Sequence, residues 1–274
     1  MSDDVVLRAD QQGVAVLTFN RPERRNAWTV GLQRRYYELL AECVEDPDVR
    51  CIVVTGSGSS FCPGADTDSL QTYSDTGEFN PEAALIVQPD WYPITVLKPM
   101  VAAINGACAG FGLVQTMFCD VRIAASGVRM STAFARRGLP ALHASAWLLP
   151  RLIGGSRASE LLVSGRTFTS DEAAIIGLVH QLAEQDEVLD KSIAYARDIA
   201  ENCSLASIAN IKAQLRDSYE SSFSDSVAVA EKLEHRALGS VDFHEGVMSF
   251  VERRQPSFAA FGAGSAARPK DGAQ

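Results

Sequence analysis

The chain has no long apolar run: no stretch of its 274 residues reaches the about 18 consecutive apolar residues that a membrane span requires. The first ten residues, MSDDVVLRAD, are acidic and contain no apolar signal core, so we expect no export. None of the six cysteines belongs to a Cys-x-x-Cys pair. Unpaired thiols are typical of a reducing compartment. These absences predict a cytoplasmic protein that does not enter the membrane.

Basic residues are also fewer than acidic residues. Lys and Arg number 25 against 34 Asp and Glu, which gives a formal net charge of -9. Nucleic-acid binding domains usually carry a basic surplus, so this balance argues against a nucleic-acid partner. An anionic small molecule would need a local basic patch or backbone N–H groups aimed at it.

The common nucleotide, zinc-protease and serine-hydrolase motifs are missing as well. The sequence contains no GxxxxGK followed by Ser or Thr, no HExxH and no GxSxG. The histidines are too far apart to form a ligand-spaced metal cluster. They are His143, His180, His235 and His244. The sequence therefore shows no recognisable nucleotide or metal motif.

Strand and helix patterns alternate along most of the chain. Short apolar runs predict strands, and apolar residues at helical spacing predict helices between them. The predicted strands include 14–19, 51–55, 100–105 and 121–125, and a first amphipathic helix covers 29–46. From 186 onward the pattern is helical only. Residues 71–95 predict a long irregular loop, either functional or a simple surface insertion.

Two turns rich in small residues each follow a predicted strand. The first is SFCPGAD at 60–66 and the second is NGACAGFG at 105–112. Each leads toward a helix, whose first N–H groups lack backbone partners, and glycine lets a ligand approach the main chain closely. Facing each other, the turns would form a two-donor oxyanion hole. Two ordinary glycine turns are the alternative.

Six segments, in order between about residue 5 and residue 255, carry a family resemblance. They are NRPERRNAW (20–28), VVTGSGSSFCPGAD (53–66), KPMVAAINGACAGFG (98–112), CDVRIA (119–124), LLPRLIG (148–154) and SGRTFTSDEAAIIGLV (164–179). They resemble the enoyl-CoA hydratase/isomerase (crotonase) superfamily. The resemblance implies an α/β fold: a spiral of β-β-α turns over 1–195 with the acyl-CoA site, and a helical region over 196–262 that builds homotrimers or hexamers. A flexible tail would follow at 263–274.

The resemblance also implies a ligand and a site, and it implies that no tightly bound cofactor or metal is needed. An acyl-CoA thioester would be the substrate or ligand, with the backbone N–H groups of Ala65 and Phe111 holding its carbonyl oxygen and stabilising an enolate. Arg24 and Arg25 would pair with CoA phosphates, unless they are merely solvated, and Ala27 would line the nucleotide. The other positions expected near the substrate are Cys62, Gly64, Asp66, Gly110, Val114, Phe134 and Leu142.

Three of these positions depart from the family pattern. Val114 and Phe134 stand where hydratases carry their two glutamates, and Leu142 stands where isomerases carry one. Because none of these side chains can carry a proton, ordinary glutamate chemistry is expected to be absent. His143, next to Leu142, is a candidate proton carrier. Neighbouring residues point in different directions, so a purely structural role is its alternative.

Two further candidates have structural alternatives. Asp66 fits an N-cap for the helix that follows it, and Cys62 is either a reactive thiol at a helix start or a packing residue. Besides a purely structural oligomer, two functions remain open at this point. One is an acyl-CoA-processing enzyme of fatty acid metabolism, a lyase or isomerase with altered acid–base groups. The other is a non-catalytic acyl-CoA binder or carrier on the same fold.

Overall fold

Ten strands and ten α-helices are present in the computed structural model, which describes residues 5–77 and 87–259. The strands are β1 (Val6–Gln11), β2 (Val14–Phe19), β3 (Cys51–Gly56), β4 (Ser60–Cys62), β5 (Met100–Ile104), β6 (Ala107–Ala109), β7 (Val121–Ala125), β8 (Arg129–Ser131), β9 (Phe168–Thr169) and β10 (Gln181–Ala183). The helices are α1 (Val30–Glu45), α2 (Thr67–Thr76), α3 (Phe111–Met117), α4 (Ser145–Ile153), α5 (Gly155–Ser164), α6 (Ser170–Ile175), α7 (Val188–Asn202), α8 (Leu205–Asp217), α9 (Phe223–Leu238) and α10 (Val241–Glu252).

The strands form two mixed sheets. The larger has the order β1-β2-β3-β5-β7-β10, and the smaller has the order β4-β6-β8-β9. Among the described strand pairs, only the outer pairs β1–β2 and β8–β9 are antiparallel. The chain visits the large sheet, then the small sheet and then a helix, first with β3, β4 and α2 and again with β5, β6 and α3. This repeat confirms the predicted α/β fold.

The core lies around the large sheet. Every residue of β3 and β5 is buried, which is why these strands are continuous apolar runs without the alternation of a half-exposed strand. Helix α1 packs its apolar stripe against β1 and β2, and α7 packs across β2, β3, β5 and β7. Phe19 of β2 meets Tyr36 of α1 edge to face, with ring centroids 5.2 Å apart. None of the described helices is long and apolar enough to cross a membrane.

The predicted strands at 14–19, 51–55, 100–105 and 121–125 and the helix at 29–46 are confirmed. The loop predicted over 71–95 is wrong in part, because α2 continues to Thr76 and a 3-10 turn covers Tyr92–Thr95. Gly77, with a φ of 69°, ends α2 in the left-handed conformation. Residues 78–86 of that loop and the tail predicted at 263–274 lie outside the described residues. The domain boundary expected after 195 falls inside α7 and stays a prediction.

Helix α3 begins directly against β4. A Cβ atom on Gly112 would lie 2.3 Å from the carbonyl oxygen of Cys62 and 2.8 Å from its Sγ atom. Real Cβ atoms do not approach backbone oxygen so closely, so only glycine allows this strand–helix distance. The absence of a side chain at 112 thus sets how near α3 lies to the turn that follows β4.

We expect Gly112→Ala to reduce the free energy of unfolding by about 3 kcal/mol or more, because a backbone oxygen cannot move aside as a side chain would. Denaturant unfolding followed by circular dichroism measures the loss. Gly155→Ala is the matched control: nothing lies within 4 Å of its Cβ position, so it should be neutral or slightly stabilising. Equal stability of the two variants would contradict the expected clash.

Candidate functional site

The two small-residue turns lie side by side. Part of each predicted turn is a short strand, β4 in the first and β6 in the second, and these two strands pair in parallel. A Cβ atom on Gly64 would lie 3.1 Å from the carbonyl oxygen of Ala109, and one on Gly110 would lie 3.7 Å from the Cα of Gly64. Both glycines have positive φ, 101° and 51°. The main chains therefore touch, and the residues that follow, Ala65 and Phe111, occupy neighbouring positions.

Each turn offers a backbone N–H group that the protein itself leaves unused. Trp28 donates to the carbonyl of Gly64 at 2.8 Å and accepts from the N–H of Asp66 at 2.9 Å. This parallel bridge turns the N–H of Ala65 away from Trp28. Phe111 is the first residue of α3, where an N–H has no acceptor within the helix. Among the described residues, neither N–H group has an acceptor.

Aromatic rings form a wall next to these donors. The Phe111 ring packs on the Trp28 indole at 4.7 Å between centroids and on the His143 imidazole at 4.0 Å. Phe134 lies further out, 6.5 Å from the imidazole. The structure thus brings two of the candidates predicted from sequence, Phe111 and His143, into direct contact.

Val114, Phe134 and Leu142, the three positions expected to depart from the family pattern, lie in the core or against it. Val114 lies in α3, almost one turn after Phe111, and is buried. Phe134 is also buried, and Leu142 is half-buried against the core. None of the three has a polar function of its own to offer a ligand.

His143 is paired with an acid that sequence reasoning missed. Its Nδ1 lies 2.7 Å from Oδ2 of Asp90. The other carboxylate oxygen, Oδ1, accepts from Nε2 of Gln33 at 2.8 Å, and Oε1 of Gln33 accepts from Nε1 of Trp28 at 3.0 Å. The hydrogen bond from His143 lowers the pKa of Asp90, and the hydrogen bond from Gln33 lowers it further. Partial burial acts in the opposite direction but is outweighed. One available signal was Gln33 itself, a polar residue on the buried face of an amphipathic helix.

The backbone at His143 is strained. His143 and Ala144 both adopt left-handed conformations, with φ of 54° and 60°, just before α4 begins. Such a conformation costs a residue with a Cβ about 1–2 kcal/mol. The structure therefore holds His143 in place against a local preference, and the Asp90 carboxylate and the Phe111 ring are the contacts that hold its side chain.

Asp66 is the N-cap of α2, as its structural alternative predicted. Its carboxylate accepts from the N–H of Asp68 at 3.1 Å and forms ion pairs with Arg21 at 3.2 Å and Arg24 at 3.1 Å. Burial acts to raise the pKa of this carboxyl, but the Asp68 N–H and the two guanidinium groups outweigh it and lower the pKa. Arg24 also pairs with Asp68 at 2.7 Å. Arg25 is exposed and has no side-chain partner among the described residues.

The 20–28 segment is fixed to the first small-residue turn by a buried amide that sequence reasoning missed. Asn26 donates to the carbonyls of Ser57 at 2.9 Å and Ser60 at 2.8 Å, and its Oδ1 accepts from the N–H of Arg21. Ala27, expected at the nucleotide, is buried, and its carbonyl accepts from Arg21 at 2.6 Å. These bonds hold the basic segment next to the start of β4.

Cys62 packs in the core. Its side chain is fully buried against Gly112, and burial raises the pKa of its thiol to about 12. Since the thiolate is the nucleophile, this cysteine is not reactive near neutral pH. All six cysteines are free. Within the described residues, no group of three or more His, Cys, Asp or Glu side chains is arranged to hold a metal ion.

We expect Asp66→Asn, which keeps the cap, to lower the free energy of unfolding by about 2 kcal/mol at pH 7, between the values of exposed and buried ion pairs. Because the pKa of Asp66 is lowered in the folded state, this stabilisation is complete above the unfolded pKa of about 3.9 and is lost as the pH falls through the folded pKa. The gap in Tm between wild type and variant should therefore close in acid.

Thermal unfolding at pH 7 and at pH 3 measures this gap. Asp68→Asn is the control, since its side chain is 78% exposed and its pairing should contribute little. A Tm gap for Asp66→Asn that is the same at both pH values would contradict the role of its charge.

Comparison with known proteins agrees with this architecture. The enoyl-CoA hydratase/isomerase family model matches residues 9–260. An enoyl-CoA hydratase of Alternaria alternata is 33% identical over 259 residues, covering 91% of this chain and 84% of that protein. The 1,2-epoxyphenylacetyl-CoA isomerase of Escherichia coli is 30% identical over 261 residues, covering 93% and 98%.

A solved structure is similar over nearly the same length. The crystal structure of a probable enoyl-CoA hydratase/isomerase from Mycobacterium abscessus superposes with a TM-score of 0.85 at 32% identity, covering 93% of this chain and 99% of that one. The two mixed sheets and the C-terminal helices are therefore those of the crotonase fold. On the match of the family model and of these relatives, the chain belongs to the enoyl-CoA hydratase/isomerase family.

Proposed function

We propose that the protein binds an acyl-CoA thioester with its carbonyl oxygen between the N–H groups of Ala65 and Phe111, and that it stabilises the enolate of that thioester. The observation that carries the proposal is the pair of unused N–H donors on two touching turns. Donors fixed in advance favour the state in which negative charge develops on the oxygen, and one such donor is worth about 3 kcal/mol. Family membership supplies the ligand class.

The proton chemistry that we propose differs from that of a pair of glutamates. Val114, Phe134 and Leu142 occupy the positions at which the resemblance expects those acids. Their side chains are apolar, and the first two are buried in the core. These same residues favour the second candidate function, a non-catalytic acyl-CoA binder, because an apolar lining suits an acyl chain without acting on it.

We propose that the phosphates of CoA lie along the 20–28 segment. Arg25 is exposed and without a side-chain partner among the described residues, whereas Arg24 already shares its charge with Asp66 and Asp68. Arg25 is therefore the stronger candidate for a direct phosphate contact. A local arginine of this kind lets a chain of net charge -9 hold an anion.

Calorimetry and turnover assays with 2-enoyl- and 3-enoyl-CoAs of several chain lengths test the proposal. We expect binding across part of the panel, and butyryl-CoA should bind about 5- to 150-fold more tightly than S-butyl-CoA, which lacks the carbonyl oxygen and so loses two hydrogen bonds of about 0.5–1.5 kcal/mol each. Binding without turnover at any chain length would leave the carrier function. No binding at all would overturn both.

We also propose that the helical end assembles subunits into a homotrimer or hexamer. No residue of α9 is buried, and only Ser249 of α10 is. Four exposed apolar residues of α10 follow a helical stripe. They are Phe243, Val247, Phe250 and Val251. Apolar surface of this kind is typical of an interface. For the compartment, we propose the cytoplasm, which six free thiols support.

Light scattering on the purified chain should give the mass of three or six subunits. Phe250→Asp replaces a ring that is 85% exposed in the single chain with a charged carboxylate. This variant should shift the mass to smaller species. Val163→Asp, on an exposed valine of α5, is the matched control and should leave the mass unchanged. A monomeric wild-type protein would rule out the assembly.

A further inference from the structure

We propose that His143 is the group that moves the substrate proton, and that Asp90 and Gln33 position it. The inference rests on the proposed function. It adds the acid–base residue that Val114, Phe134 and Leu142 cannot supply. It assigns to the site a proton transfer at the carbon next to the thioester, and not an addition of water.

A chain of hydrogen bonds fixes the orientation of the His143 imidazole. It runs from the Trp28 indole to the Gln33 amide at 3.0 Å, from Gln33 to Asp90 at 2.8 Å, and from Asp90 to His143 at 2.7 Å. The indole nitrogen can only donate, so the Gln33 oxygen must accept and the Gln33 nitrogen must donate. Each group in the chain thereby sets the orientation of the next.

The chain also determines which imidazole nitrogen is available. An ionised carboxylate only accepts hydrogen bonds, so Nδ1 of His143 carries the proton that bonds to Asp90. In the neutral imidazole, Nε2 then holds the lone pair. No described residue bonds to Nε2. This is the arrangement of a general base: one nitrogen anchored by an acid, the other free to take a proton.

The position of the imidazole fits that task. Its ring lies 4.0 Å from the ring of Phe111, the residue whose N–H is one of the two proposed donors to the thioester oxygen. The His143 side chain is 24% exposed and that of Asp90 is 46% exposed, so the pair stands at an open edge of the aromatic wall.

A single base is sufficient for the proposed proton transfer. Nε2 takes the proton from the carbon next to the thioester carbonyl, and the C–H electron pair forms the C=C bond of the enolate. The carbonyl π electrons move to the oxygen, which the N–H groups of Ala65 and Phe111 stabilise. With a 3-enoyl-CoA, the imidazolium returns the proton at the γ carbon, and the product is the 2-enoyl-CoA. Water addition would need a second proton-moving group, and the three positions expected to supply one are apolar.

Hydrogen–deuterium exchange tests the step directly. Butyryl-, octanoyl- and phenylacetyl-CoA are incubated with the full chain in D2O, and deuterium at the α carbon is followed by NMR, with affinity measured by calorimetry. We expect exchange by the wild type and a loss of about 10²- to 10⁴-fold in His143→Ala and His143→Gln at unchanged affinity. His143→Gln retains a donor for Asp90 and guards against misfolding. His235→Ala, at an exposed histidine of α9, is the control and should exchange as wild type does.

Two further readouts separate proton transfer from a structural role. Added imidazole should restore exchange by His143→Ala and leave wild type unchanged, because a small base can enter the space that the side chain vacates. Asp90→Asn should lower the exchange rate about 10²-fold through loss of orientation, with affinity unchanged, and Asp90→Glu should recover part of it.

The outcomes distinguish this inference from the function on which it rests. Exchange by wild type that persists in both His143 variants overturns the inference and leaves the enolate function standing. Binding without exchange in wild type overturns the inference in favour of a carrier. Absence of binding to every CoA ester overturns the proposed function, and the inference with it.

Discussion

The contact between two main chains at Gly64 and Gly110 is the constraint on which the site depends. Neither residue has a side chain, and both adopt positive φ, so one turn rests directly on the other. Gly112 extends the same contact by letting α3 begin against Cys62. A methyl group in this layer would separate β4 from α3. The distance between the two proposed donors is thus set by residues that contribute no chemistry of their own.

Near that contact, ion-paired side chains form one group and aromatic rings form another. Asp66 is held by Arg21 and Arg24, and its carboxylate organises the 20–28 segment and the start of α2. The ring centroids of Phe111 and Phe134 lie 4.0 Å and 6.5 Å from that of the His143 imidazole. The Asp90–His143 pair is the ionisable element that the structure places in this aromatic region, and its half-exposed position spares it the full cost of burying a charge.

Sequence patterns predict the features that are determined by residues close together in the chain. Buried strands such as 51–55 are continuous apolar runs, and the N-cap at Asp66 lies next to the helix that it caps, so both are readable from neighbouring residues. The short strands β4 and β6 have three residues each, too few for a periodicity to show. Asp90 and His143 are 53 positions apart, and only the folded chain reveals that they meet. The sequence predicts a helix after Asp66 but not its continuation over 71–76, because Thr, Ser and Asp there have low helix propensity.

Phe111 supplies two things from one position: its backbone N–H faces the proposed ligand oxygen, and its ring supports the imidazole. Any amino acid except proline keeps the first, while only a flat side chain keeps the second. On the proposed roles, a substitution at 111 would therefore remove one support of the imidazole, beside the Asp90 hydrogen bond, and would leave the backbone donor in place. In evolutionary terms, one position then affects the proposed proton transfer through its side chain and the proposed ligand capture through its backbone, so the two can change separately.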